Sequence, residues 1–76
     1  MVTIFRADGF RVIIFVNDHA PAHVHVFGDG EAKINLLGKP ELIWAFKMNR
    51  VDIRRAMRLV VDHQDHFLTR WRDIHG

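Results

Sequence analysis

His23-Val24-His25-Val26-Phe27-Gly28-Asp29-Gly30-Glu31-Ala32-Lys33-Ile34-Asn35-Leu36 is the stretch that decides how this chain folds. Apolar and polar residues alternate with period two on both sides of Gly28-Asp29-Gly30, the pattern of two half-buried strands joined by a tight turn. Taken as a three-residue hairpin turn, the loop sets Phe27 opposite Glu31, His25 opposite Lys33 and His23 opposite Asn35. Val24, Val26, Ala32, Ile34 and Leu36 then face a core. His23, His25, Glu31, Lys33 and Asn35 share the other, polar face.

The pattern extends outward from that hairpin. Residues 2–6 and 10–16 are rich in Val, Ile and Phe, and Asp8-Gly9 between them is a strong hairpin signal. Arg11 to Val16 is apolar on both faces, as in a central strand covered on two sides. Gly38-Lys39-Pro40 breaks the chain, and Glu41 to Met48 reads as a fifth strand with Leu42, Trp44, Phe46 and Met48 on one side. From about residue 50 the period becomes 3.6. Ile53, Ala56, Met57, Val60, Val61, Gln64, Phe67, Leu68, Trp71 and Ile74 fall in one arc, opposite Arg54, Arg55, Arg58, Asp62, Asp65, His66 and Thr69. Asn49 is placed to cap this helix, with Asp52 three residues on. The expected architecture is α+β: an antiparallel four- to five-stranded meander sheet over about 2–48. One C-terminal amphipathic helix, about 50–74, packs on one face, in a single domain spanning 1–76.

Composition narrows the function classes. Seventy-six residues give a thin core, so self-association as a homodimer would help. With no cysteine there are no disulfides and no thiolate metal sites. No apolar run approaches the roughly 20 residues that span a bilayer, and no basic flank marks a signal peptide, so a cytoplasmic location is the expectation. A formal charge of +2 permits nucleic-acid contact without demanding it.

Three of the six histidines lie within Asn17-Asp18-His19-Ala20-Pro21-Ala22-His23-Val24-His25, at the mouth of the hairpin. Three readings fit. His19, His23 and His25, supported by Lys33, suit acid–base chemistry on RNA phosphodiesters, which needs no cofactor. The same three histidines suit tri-histidine zinc with an open position, and Asp18 could replace one imidazole. Alternatively, Asn17-Asp18-His19 is a polar turn and the strand histidines are solvated. Arg50, Arg54, Arg55 and Arg58 at the helix start form a candidate nucleic-acid-binding patch, or a solvated face laced by pairs such as Arg58–Asp62. Tyr is absent, and the exposed strand faces show no interleaved aromatics of the kind that stack bases.

Asn17 to Val26, preceded by a Gly-initiated strand and followed by Glu31-Ala32-Lys33-Ile34, resembles a family of small bacterial proteins known only as a domain of unknown function. Its hallmark is an Asn/Asp-Asp-His-x-Pro-x-His-x-His signature. The likeness extends to the Arg-rich helix, Arg54-Arg55-Ala56-Met57-Arg58-Leu59, and to the late Trp71. The family usually shows two adjacent prolines where this chain has Ala20-Pro21. The resemblance carries over only onto Asp18, His19, Pro21, His23 and His25. It implies a toxin–antitoxin-like gene context and a small partner protein. The leading expectation is therefore a module component that acts on or binds RNA. The alternatives are a non-enzymatic interaction domain, working through a sheet edge or the Trp44/Phe46 surface, and a His-ligated metal-binding domain.

Overall fold

A computed structural model describes residues 1–76. Five antiparallel strands form one open meander in sequence order: β1 (Val2–Ala7), β2 (Phe10–Ile14), β3 (His23–Phe27), β4 (Glu31–Asn35) and β5 (Glu41–Phe46). The β1–β2 turn is built on Asp8 and Gly9, both at positive φ (55° and 82°), which is the twist a two-residue hairpin needs. β3 and β4 pair in the expected register, with His23 opposite Asn35, His25 opposite Lys33 and Phe27 opposite Glu31.

Gly30 holds that register. A Cβ there would collide with the backbone carbonyls of Phe46 and Lys47, where β5 ends against the β3–β4 turn. Only a residue without a side chain lets the two backbones come this close.

Val12, Ile14, Val24, Val26, Ala32 and Ile34 line one sheet face, all of them fully buried. The helical segment covers that face with Ala56, Leu59, Val60, Phe67 and Trp71. Asn49 caps it as expected, its Oδ1 accepting from the Asp52 N–H at 2.8 Å.

The expectation of one helix needs correcting, because there are two: α1 (Arg50–Asp62) and α2 (Gln64–His75). The break falls at His63, whose φ of −122° leaves the helical region and whose N–H reaches back to Leu59 and Val60. Neither Gly nor Pro marks it. Its cause is tertiary: the Gln64 side-chain amide donates to the carbonyls of Leu36 and Gly38, pinning the start of α2 to the end of β4. The His63 ring meanwhile packs 4.5 Å from Phe5. Val61, expected in the apolar arc, is exposed, and Leu59 is buried in its stead. Neither helix is long and apolar enough to cross a membrane.

β5 departs from its expected alternation as well. A bulge sits between the pairs Lys33–Trp44 and Ile34–Leu42, so Ile43 is the extra residue. Leu42 and Trp44 therefore lie on opposite faces, and Trp44 and Phe46 turn away from the helices.

The Gly30 constraint is directly testable. Gly30→Ala is expected to lower stability by about 2–3 kcal/mol, seen as a lower urea midpoint at unchanged slope. Asp29→Ala in the same turn should stay within about 0.5 kcal/mol.

Candidate functional site

β2 ends two residues earlier than its apolar run, and the reason lies in Asp18. Its Oδ2 accepts the Phe15 N–H at 3.1 Å, and its own N–H donates to the Phe15 carbonyl at 3.0 Å. A side chain thus replaces the next ladder bond, an Asx-type closure that turns the chain away from the sheet. The same closure aims the carboxylate back across the start of β3.

His23 and His25 meet it there. Both are buried, at 4% and 8% exposure, so they are not the solvated strand residues that alternation alone allows. His23 Nε2 lies 3.3 Å from Asp18 Oδ2 and His25 Nε2 lies 3.7 Å from the same oxygen. The two imidazoles are 5.3 Å apart, edge to face. Phe15 and Trp44 stand 4.8 Å and 6.0 Å from His25, and Trp71 stands 5.1 Å from His23.

The outer ring nitrogens fix what the inner ones can do. His23 Nδ1–H donates to the Pro21 carbonyl at 2.9 Å, and His25 Nδ1–H donates to Glu31 Oε2 at 2.9 Å. Both acceptors lack a proton to give, so Nδ1 carries the hydrogen in each ring and a neutral imidazole leaves Nε2 as a bare lone pair. Neither Nε2 has a hydrogen-bond partner, although both are fully buried. Two ring nitrogens and a carboxylate oxygen thus converge, all within 4.8 Å of one another.

Unpaired buried polar atoms are rare and call for an explanation. An ion would provide one. Tetrahedral ligands at about 2.0–2.2 Å lie about 3.3–3.6 Å apart, close to the observed Asp–His spans of 3.3 and 3.7 Å. A carbonyl and a carboxylate behind the two imidazoles form the outer support that holds metal-binding histidines in one tautomer and orientation.

The other expected site residues lie apart from this cluster. His19 is exposed and is not part of the convergent group. With Asp18 it lines a cleft of about 340 Å³ that α2 closes with Trp71, Arg72 and His75. Lys33 is half-buried opposite His25, between it and Trp44 in the strand order.

The arginines divide. Arg50 and Arg54 are exposed. Arg55 is engaged on three sides, by Asp52 at 3.0 Å, the Asp8 carbonyl at 2.7 Å and the Phe10 ring at 4.9 Å. Arg58 reaches Asp62 at 3.5 Å. Arg54, Arg55 and Arg58 line an open cleft of about 380 Å³ beside the β1–β2 turn.

Sequence reasoning named Asp18 only as a stand-in ligand and did not find the bond from Glu31 to His25. The signal for that bond was present in the register, because Glu31 sits one polar position from Lys33 on the same face. The expectation of no interleaved aromatics on the exposed strand face is overturned: Phe15, Phe27, Trp44 and Phe46 all stand there.

The family described as "Domain of unknown function (DUF4160)" matches residues 9–72, which includes every residue of this site. No curated protein and no solved structure matches the chain.

Asp18→Ala is expected to cost about 1–2 kcal/mol in urea unfolding of the metal-free protein, because the Phe15 N–H loses its acceptor. Asp18→Asn keeps an acceptor oxygen and should cost less than half as much.

Proposed function

The chain belongs to the DUF4160 family, whose description assigns no activity, and we propose from the geometry that it is a metal-binding domain. Asp18, His23 and His25 hold one divalent first-row ion, with zinc as the ion to test first. The observation that carries this reading is the pair of buried, unpartnered Nε2 atoms facing one carboxylate oxygen. Two imidazoles and a carboxylate suit zinc and its neighbours in the transition series. Glu31 and Pro21 act behind them as orienting groups.

Three protein ligands leave a coordination position for water or substrate. Such an ion supplies Lewis-acid chemistry, namely a bound water of lowered pKa or a polarised oxygen. The cleft lined by Asp18 and His19 is the approach from solvent, which gives His19 a place at the mouth of the site rather than in it. The aromatic surround of Phe15, Trp44 and Trp71 lowers the local dielectric and strengthens the ion's interaction with anything bound there.

A role for such a site in a toxin–antitoxin-like module is compatible with this chemistry, and a growth assay of cells expressing the chain, alone and with any small protein encoded beside it, addresses it. The metal reading has its own test, independent of biology. Calorimetric titration of metal-free protein with zinc should give one equivalent. His23→Ala and Asp18→Ala should weaken binding at least 100-fold, and Glu31→Gln about 10- to 100-fold. His19→Ala should leave the stoichiometry and affinity unchanged. At 100 times the dissociation constant, zinc should stabilise the native chain by about 2.7 kcal/mol. A native chain that binds zinc no better than the His23→Ala variant overturns the assignment.

A further inference from the structure

The side of the sheet away from the helices is buried at its centre, where Ile13, His23 and His25 lie, and open toward β1 and β5, and the pairings arrange its side chains in rows across the strands. One row runs Arg6, Arg11, Phe27, Glu31, Phe46 from β1 to β5. The next runs Thr3, Ile13, His25, Lys33, Trp44. Phe46 is 60% exposed and Trp44 39%, while Phe15 and Phe27 are half-buried with their centroids 6.4 Å apart.

Cations are set among these rings. The Arg11 guanidinium lies 5.8 Å from the Phe27 centroid and Lys47 Nζ lies 5.4 Å from that of Phe46. Arg6, Arg11, Lys33 and Lys47 take part in none of the chain's ion pairs. Arg6 and Arg11 are direct cross-strand neighbours, a like-charge pairing that costs stability by itself. Two carboxylates on this side, Asp18 and Glu31, are turned to the histidines. Glu41 stands opposite Asn35 at the far end of β5. Asp8 and Asp29 stand in the flanking turns, two free carboxylates against the four cations Arg6, Arg11, Lys33 and Lys47, so the balance near the rings is positive.

We propose that this sheet face binds a single-stranded nucleic acid. Its bases stack on Trp44, Phe46 and the Phe27–Arg11 pair, and its phosphates meet Arg6, Arg11, Lys33 and Lys47. Rings and guanidinium planes accept any base, and unpaired cations track the backbone. A folded protein partner fits less well, because its interface would bury Lys33 and Lys47 beside the like-charged Arg6–Arg11 pair, and lysine is depleted from the cores of protein interfaces. A second copy of the chain would bring the same uncompensated cations against themselves. The proposal goes beyond the metal reading and does not rest on it, although Trp44 and His25 border both regions.

The test is fluorescence anisotropy of the full chain with labelled 12-nucleotide oligo-U RNA and oligo-dT DNA, each with zinc and with EDTA. Binding of either strand in EDTA is expected, and the tighter of the two names the natural sugar. Trp44→Ala and Phe46→Ala should each raise the dissociation constant about tenfold, since one stacked base is worth about 1–3 kcal/mol. Both side chains are substantially exposed, and an unchanged circular dichroism melting curve confirms that the variants fold. The Arg6→Ala/Arg11→Ala double variant should flatten the slope of log affinity against log salt by about 1.4, for two phosphates at about 0.7 each.

Three results would overturn the proposal. Neither oligonucleotide binds the native chain; or binding is lost in Arg50→Ala/Arg54→Ala on the helix while the ring variants bind normally; or the ring variants abolish a dimer seen by light scattering without changing nucleic-acid affinity. Failure of zinc binding leaves all of these readouts intact, so the two readings stand or fall separately.

Discussion

The pairing of β3 with β4 is the constraint on which the remaining structure depends. Val24 and Val26 are wholly buried on one side of it, opposite Ile34 and Ala32, and a strand cannot place them there without sending His23 and His25 to the other side. A slip of one residue would exchange the two sets, exposing the valines and driving both imidazoles into an apolar core. The hydrophobic term alone makes that slip costly, at about 1.5–3 kcal/mol per large side chain. Gly30 adds a geometric lock, because the backbone of β5 occupies the space a side chain would need. The positions of both site histidines are thus set by packing on the face they do not touch.

The loop between β2 and β3 then completes the site. Its first task is structural: Asp18 satisfies the Phe15 N–H where the ladder stops. The same oxygen faces two imidazoles, so one carboxylate both ends a strand and anchors the cluster. Such double use fixes the position of the carboxylate although it lies on a loop. Its surroundings are also unusually dry. Phe15 just after β2, Trp44 of β5 and Trp71 of α2 enclose His23 and His25, so the Nε2 atoms have little access to water.

The legible part of this architecture was local. Alternation and turn chemistry were enough to give the β3–β4 register, the Asp8-Gly9 turn and the Asn49 cap, because each depends on residues a few positions apart. What was hidden depends on contacts between distant segments. The break at His63 follows from Gln64 bonding carbonyls of residues 36 and 38, which no helical wheel encodes. The bulge in β5 reverses Trp44 relative to Leu42, and without it the aromatic face could not be read from period two. Burial of the histidines was hidden for the same reason: Trp71 comes from the far end of the chain and Trp44 from the edge strand. Three histidines in seven residues suggested a three-histidine site; the structure brings His23 and His25 together with Asp18, and His19 stands outside that group. His19 and His23 are neighbours along the chain, but only the strand residues are held in register with a fixed direction.

The placement of the acids accounts for both chemical faces of the domain. Glu31 is the one carboxylate in the row Arg6–Arg11–Phe27–Glu31–Phe46, and a free acid there would neutralise the cations beside it. Its Oε2 is instead bound to His25 Nδ1–H, 2.9 Å away. That bond has two consequences. It holds the imidazole in the tautomer that leaves Nε2 bare toward Asp18, and it commits Glu31's charge inward. The same hydrogen bond therefore orients a site imidazole and draws the acid toward His25, away from the cations in its row. Removing the Glu31 carboxylate would loosen His25 while making the face more cationic, so metal affinity and polyanion affinity should move in opposite directions. A purely structural glutamate would change neither in that coupled way.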